Sequence, residues 1–164
     1  MFKSVFRVVC FAIVAGLITT VPPVGAQAQS GPNLTFILPQ LDAAITLSRS
    51  DLKALPRTDY VTTTIWTDGP QRFSGVTLHD LIEHLNIEAE TLEFIAINDY
   101  SVTVPVSEIG QDNPMIAYAR NDEPMSLREK GPFWLVYNYD ADPAFRTETV
   151  YVRSIWQLDR VTAR

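Results

Sequence analysis

Apolar positions along this chain follow two rhythms, which separate a few short helices from a larger set of strands. The helical rhythm is clearest after Thr77, where Leu78, Leu81, Ile82 and Leu85 recur at i, i+3, i+4 and i+7 and make one apolar stripe. Thr77 is a fitting N-cap, Asp80 stands in the capping-box position and Asn86 suits the C-cap. A shorter turn opens at Ser50-Asp51-Leu52 and is stopped by Pro56. Ser107 to Gly110 suits one more helical turn. Alternation and runs of β-branched or aromatic residues mark strands at Ala43 to Leu47, Asp59 to Trp66, Arg72 to Val76, Thr91 to Ile97, Tyr100 to Val106, Met115 to Arg120 and Phe133 to Tyr139. Val150 to Val161 carries a last strand, with room for a helical turn before it. Asp68-Gly69-Pro70, Asn98-Asp99 and Asn121-Asp122-Glu123-Pro124 are turns, and Asp140 to Pro143 is a loop. The sum is an α+β domain: a mainly antiparallel or mixed β-sheet with short helices.

The N-terminus has a different pattern. Lys3 and Arg7 precede an uncharged run from Val8 to Val21, and Pro22-Pro23 break it. Ala26-Gln27-Ala28 offers the small residues a signal peptidase reads. This is the layout of a secretory signal cleaved after Ala28. A spanning helix needs about 20 apolar residues, more than this run supplies. Cys10 lies inside the run without a lipobox and leaves with it. The expected organisation is a signal peptide at 1–28, a polar, proline-containing flexible lead at 29–42 and one domain at 43–164. The mature protein is expected to be periplasmic or secreted and not membrane-spanning. One domain of that length can bury a real core.

Composition narrows the chemistry. The formal charge is −6, and two units more negative once Lys3 and Arg7 are removed. No basic cluster occurs, which argues against nucleic acid and against an anionic membrane surface as partners. Cys10 is the chain's single cysteine, so the mature domain has no disulfide and no thiolate. His79 and His84 are five apart and do not share a helix face as an i, i+4 metal pair would. Asp80 and His84 have the spacing of a surface charge pair. No phosphate loop, nucleophile elbow or zinc-protease motif is present. Asp140 and Asp142 are too few carboxylates for a calcium site.

Five segments, in order, resemble the oxidoreductase molybdopterin-binding domain, the sulfite-oxidase-like fold. Phe73-Ser74-Gly75-Val76-Thr77-Leu78-His79-Asp80-Leu81-Ile82 is similar to its W/F-x-G-V-x-L-x-D-L-L element. Ala96-Ile97-Asn98-Asp99-Tyr100 resembles its A-x-D-G-Y turn. Met115 to Met125 resembles a hairpin of the form L-A-Y-x-x-N-G-x-P-L. Lys130-Gly131-Pro132-Phe133-Trp134-Leu135-Val136 resembles G-G-P-L-R-L-V, and Ile155 to Val161 resembles the closing V-K-W-L-x-x-I. Gly75 and Gly131 also suit tight backbone geometry in their own right.

The resemblance implies molybdopterin as cofactor, with the metal held by one cysteine in the strand before the first element. Here that stretch is Thr62-Thr63-Thr64-Ile65-Trp66-Thr67. None of these side chains supplies a soft thiolate. The family's phosphate-binding arginines and histidine also have no clear match. The expectation is therefore a non-catalytic small-ligand-binding or sensory and partner module. The alternative is a molybdopterin-dependent oxidoreductase with an atypical cofactor site. In the resembled fold, strand ends and loops line the cofactor cleft. Trp66, Asn98, Tyr100, Arg128, Lys130, Trp134 and Arg153 are the candidate ligand-binding residues. Aromatic walls with two or three cations would suit a small anionic or planar ligand. A membrane-bound sensor or redox protein is the alternative partner.

Overall fold

The computed structural model describes residues 31–164, so the expected leader lies outside the described residues. Ten strands form two five-stranded sheets. They are β1 (Asn33–Leu38), β2 (Ala43–Ser48), β3 (Thr58–Thr62), β4 (Gln71–Thr77), β5 (Thr91–Ala96), β6 (Ser101–Pro105), β7 (Met115–Arg120), β8 (Glu123–Pro124), β9 (Trp134–Val136) and β10 (Leu158–Ala163). Among the described residues three short α-helices accompany them, α1 (Arg49–Ala54), α2 (Leu78–His84) and α3 (Glu148–Arg153), with four single 3-10 turns between elements. The α+β expectation holds.

The first sheet runs β2-β1-β10-β5-β6, and the second runs β3-β4-β7-β8 with β9 also paired to β7. All pairs are antiparallel except β1 with β10. Strand β1 corrects the flexible lead expected at 29–42. Leu34, Phe36 and Leu38 are buried and alternate with Thr35 and Ile37, so one face of the strand enters the core. Both sheets feed a single hydrophobic cluster that includes Phe36, Phe73, Phe94, Met115, Trp134 and Val161.

Local chemistry fixes the helix starts. Ser48, not Ser50, caps α1 through a reciprocal box: its Oγ accepts the Asp51 N–H at 3.2 Å, and the Asp51 carboxylate accepts the Ser48 N–H at 2.8 Å. Thr77 caps α2 as expected, accepting the Asp80 N–H at 3.0 Å. Leu85 is the C-cap, and Asn86 follows it in the left-handed region at φ 49°. The i, i+4 contact of a histidine with a carboxylate on α2 is His79 with Glu83, 3.6 Å apart, rather than Asp80 with His84.

Two expected strands are shorter than their composition suggests. Strand β3 ends at Thr62 because Asp140 captures both the Thr63 N–H, at 2.6 Å, and the Thr63 hydroxyl, at 2.8 Å. The Trp66 N–H then turns onto Thr64 Oγ1 at 3.1 Å. These local bonds compete with the sheet ladder and override β propensity. Strand β9 ends at Val136, and the Tyr139 N–H closes on the Tyr137 carbonyl at 3.0 Å.

At Gly75 strand β4 shifts register against β7 and passes so close that a Cβ would lie 2.2 Å from the Ile116 carbonyl oxygen. We expect Gly75→Ala to cost about 3 kcal/mol or more in urea denaturation, as an overpacking change in a backbone-lined site. Gly31→Ala, where a Cβ meets nothing within 4 Å, should leave the midpoint unmoved.

Candidate functional site: an aromatic cleft where the two sheets meet

The site is built on the segment Ser154 to Leu158. On one side the Leu135 N–H donates to Ile155 O at 2.9 Å and the Leu158 N–H donates to Phe133 O at 3.0 Å, tying the segment to β9. On the other side the Ile97 N–H donates to Gln157 O at 3.0 Å, tying it to the end of β5. Gln157 takes a left-handed φ of 53° and donates its N–H to Lys130 O at 3.1 Å. A cleft of about 440 Å³ opens beside this segment. Its walls are Ile65 and Trp66 from the loop after β3, Ala96, Asn98 and Tyr100 from the β5–β6 turn, and Tyr151 to Gln157 apart from Arg153.

Trp66 is the hub of the aromatic wall. Its ring meets Trp134, Tyr139, Tyr151 and Trp156 edge to face, with centroids 5.5 to 6.3 Å apart. Edge-to-face pairs at this distance are attractive beyond their buried area. All three tryptophans of the chain belong to this cluster. Ser154 anchors the floor. Its hydroxyl donates to Val150 O at 2.7 Å and accepts from the Tyr139 hydroxyl at 2.7 Å, while its carbonyl accepts the Trp134 indole N–H at 3.1 Å. Burial raises the Tyr139 phenol above its ordinary value, so this hydroxyl stays a donor. The loop carrying Trp66 is held by Asp140. The carboxyl of Asp140 sits below its usual range, first because it accepts the Thr63 N–H and next because it accepts the Thr63 hydroxyl. In return Thr62 Oγ1 accepts the Asp140 N–H at 3.1 Å.

Of the seven candidate residues, Trp66, Asn98 and Tyr100 line the cleft. Asn98 shapes the turn as well, its Oδ1 accepting the Tyr100 N–H at 3.2 Å. Trp134 is fully buried behind Trp66 and Trp156 and supports the wall without lining it. The expected cations do not line the cleft. Lys130 lies with its ammonium 4.5 Å from the centre of the Trp156 ring. Arg153 turns away to Glu108 and lines an adjoining groove. Arg128 is exposed on a short turn at Leu127–Glu129 and lines neither. The lining residues outside the candidate set are Ile65, Ala96, Tyr151, Val152, Ser154, Ile155, Trp156 and Gln157. A sequence signal for several of them existed: Thr147, whose side chain accepts the Val150 N–H, caps α3 and places Tyr151 and Val152 on a helix.

The oxidoreductase molybdopterin-binding domain family matches residues 37–138, and the chain belongs to that family. No curated protein matches it. The wall from Tyr151 to Gln157 lies beyond the matched stretch, so about half of the cleft is supplied outside it.

The residues that line this cleft do not fit a molybdopterin bound through metal and phosphate. The lining offers no thiolate, imidazole, carboxylate, lysine or arginine. In the stretch that would hold the ligand cysteine, Thr62 and Thr63 are engaged with Asp140, and the Thr64 and Thr67 hydroxyls bond each other at 2.8 Å. Among the described residues no three His, Cys, Asp or Glu side chains come together as a metal site.

The Asp140 clamp has a pH signature. Its carboxyl is depressed in the folded state, so its stabilisation is complete above the unfolded value and is lost as pH falls through the folded one. The Asp140→Asn variant should melt lower than the parent by a constant margin well above the ordinary aspartate value of about 3.9, and the margin should shrink as pH falls below that value. Thermal unfolding followed by tryptophan emission checks this, because every indole lies in the clamped cluster.

Proposed function

We propose that this molybdopterin-family domain is a non-catalytic ligand-binding module whose cleft accepts a planar, apolar group rather than a metal-bearing pterin. The observation that carries the reading is the chemistry of the lining. Trp66, Tyr100, Tyr151 and Trp156 give aromatic surface, Ile65, Val152 and Ile155 add aliphatic surface, and no ionisable acid or base other than the tyrosines faces the space. A cleft with this volume, mostly apolar walls and a few polar groups such as Asn98, Ser154 and Gln157, is what small-molecule sites commonly present. Without a lysine or arginine in the lining, a charged phosphate or sulfonate would give up its water for little return. The planar option is therefore favoured over the anionic one. We further propose that the domain works in the periplasm or outside the cell, on the strength of the leader-like residues 1–28.

Calorimetry with 2-naphthol and 2-naphthalenesulfonate tests the reading with one ring system in two charge states. The neutral compound is expected to bind saturably, and the sulfonate at least about tenfold more weakly. Ile65→Asp, at an exposed wall position, should weaken 2-naphthol by about fivefold or more without lowering stability. Tighter binding of the sulfonate would overturn the charge argument. Stoichiometric molybdenum in mature protein purified from a molybdenum-replete host would overturn the reading itself and restore the oxidoreductase.

A further inference from the structure

We infer that the group received by the cleft is presented by a polypeptide: an extended segment of a partner protein adds to the free edge of β6 and seats one aromatic or large aliphatic side chain among Trp66, Tyr100, Tyr151 and Trp156. This rests on the ligand-binding reading above and names the ligand class.

The first support is the edge itself. Strand β6 ends the order β2-β1-β10-β5-β6, so one side of it has no strand neighbour. Thr91 exchanges both backbone bonds with Arg164, at 3.0 and 2.9 Å, which turns the odd-numbered residues of β5 toward β10. The Ala96 N–H donates to Tyr100 O at 2.9 Å, which turns the even-numbered ones toward β6. Alternation in an antiparallel ladder then points the backbone groups of Val102 and Val104 inward and those of Ser101 and Thr103 outward. Among the described residues these outward groups have no backbone partner. Pro105, which has no N–H, closes the stretch.

The second support is continuity. Tyr100 to Thr103 line a groove of about 420 Å³ together with Glu148, Thr149, Val152 and Arg153 of α3, a helix that packs against β6. Tyr100 and Val152 line this groove and the aromatic cleft alike, so the two spaces share a wall. A strand has a side chain for the cleft and a backbone for the edge, and β-augmentation combines pockets and main-chain bonds in this way.

The third support is the rim. Ile65, Tyr100 and Val152, which line the cleft, are 64, 51 and 52% exposed. These are three of the seven large apolar side chains exposed among the described residues, and they share one cleft. A buried small molecule leaves such a rim in water, whereas a chain crossing the mouth covers it.

Charge sets the flanking residues of the partner. Arg153 is neutralised by Glu108, while Glu148 has no ion-pair partner among the described residues, and the chain carries −6 overall. The segment beyond the anchor is accordingly neutral or basic.

Display of random dodecapeptides on phage against the mature protein tests this. The expected result is an enriched motif with one aromatic or large aliphatic anchor, β-branched or polar residues beside it, and basic rather than acidic flanks. A synthetic peptide of that motif should bind about fivefold to tenfold more weakly once its backbone is N-methylated at the positions facing Ser101 and Thr103. The protein is unaltered in that comparison, so folding does not enter. Thr103→Pro should weaken the peptide and leave 2-naphthol unaffected. Binding of 2-naphthol with no enriched peptide, or with peptides indifferent to N-methylation, overturns this inference and leaves the ligand-binding reading standing. Failure of both probes overturns both.

Discussion

Everything about the cleft depends on the backbone of Ser154 to Leu158 being hydrogen-bonded on both sides. The two sheets pair their strands separately, yet this segment bonds to β9 of one sheet and to the end of β5 of the other before running into β10. The left-handed turn at Gln157 lets it reverse its bonding side within a few residues. The aromatic wall is fixed as a result. Trp156 and Tyr151 face Trp66 because the chain between them is pinned at Ser154, whose hydroxyl and carbonyl are both occupied.

The loop that carries Trp66, on the opposite wall, is held just as firmly. Coordination needs donors that are free to turn toward a ligand. Here the hydroxyls from Thr62 to Thr67 are engaged in holding the loop, and Ile65 and Trp66 are the residues of that loop that line the cleft. A shared fold leaves the chemistry of a site to its side chains, and in this chain the strand ends carry aromatic surface. The cations near the site are likewise committed, Lys130 to an indole face and Arg153 to a carboxylate.

Much of the architecture could be read from the chain. The alternating strands from Thr91 to Arg120, the capped helix after Thr77 and the tight glycines at 75 and 131 all leave local signals, and each is found where those signals put it. The site was half legible. Trp66, Asn98 and Tyr100 stand at strand ends and so announce themselves, while Ile65 and Val152 are ordinary apolar residues until the chain is folded. Arg128, Lys130 and Arg153 stand near aromatic residues in sequence, but sequence distance carries no information about which way a long side chain turns. Strand β1 did leave a signal, the alternation of Leu34, Phe36 and Leu38, but two flanking prolines and a polar stretch obscured it.

Strand β1 also determines when the domain can exist at all. It is the first strand described, and its inner edge pairs with the last, β10. During synthesis β1 has only the hairpin with β2 to sustain it, and an isolated two-stranded hairpin is marginal in water. The sheet cannot assemble around its centre until β10 has left the ribosome, and non-local pairing of this kind slows folding in general. Under the export reading this delay is useful. A polypeptide in which β1 still awaits β10 would remain thin enough to thread a narrow channel.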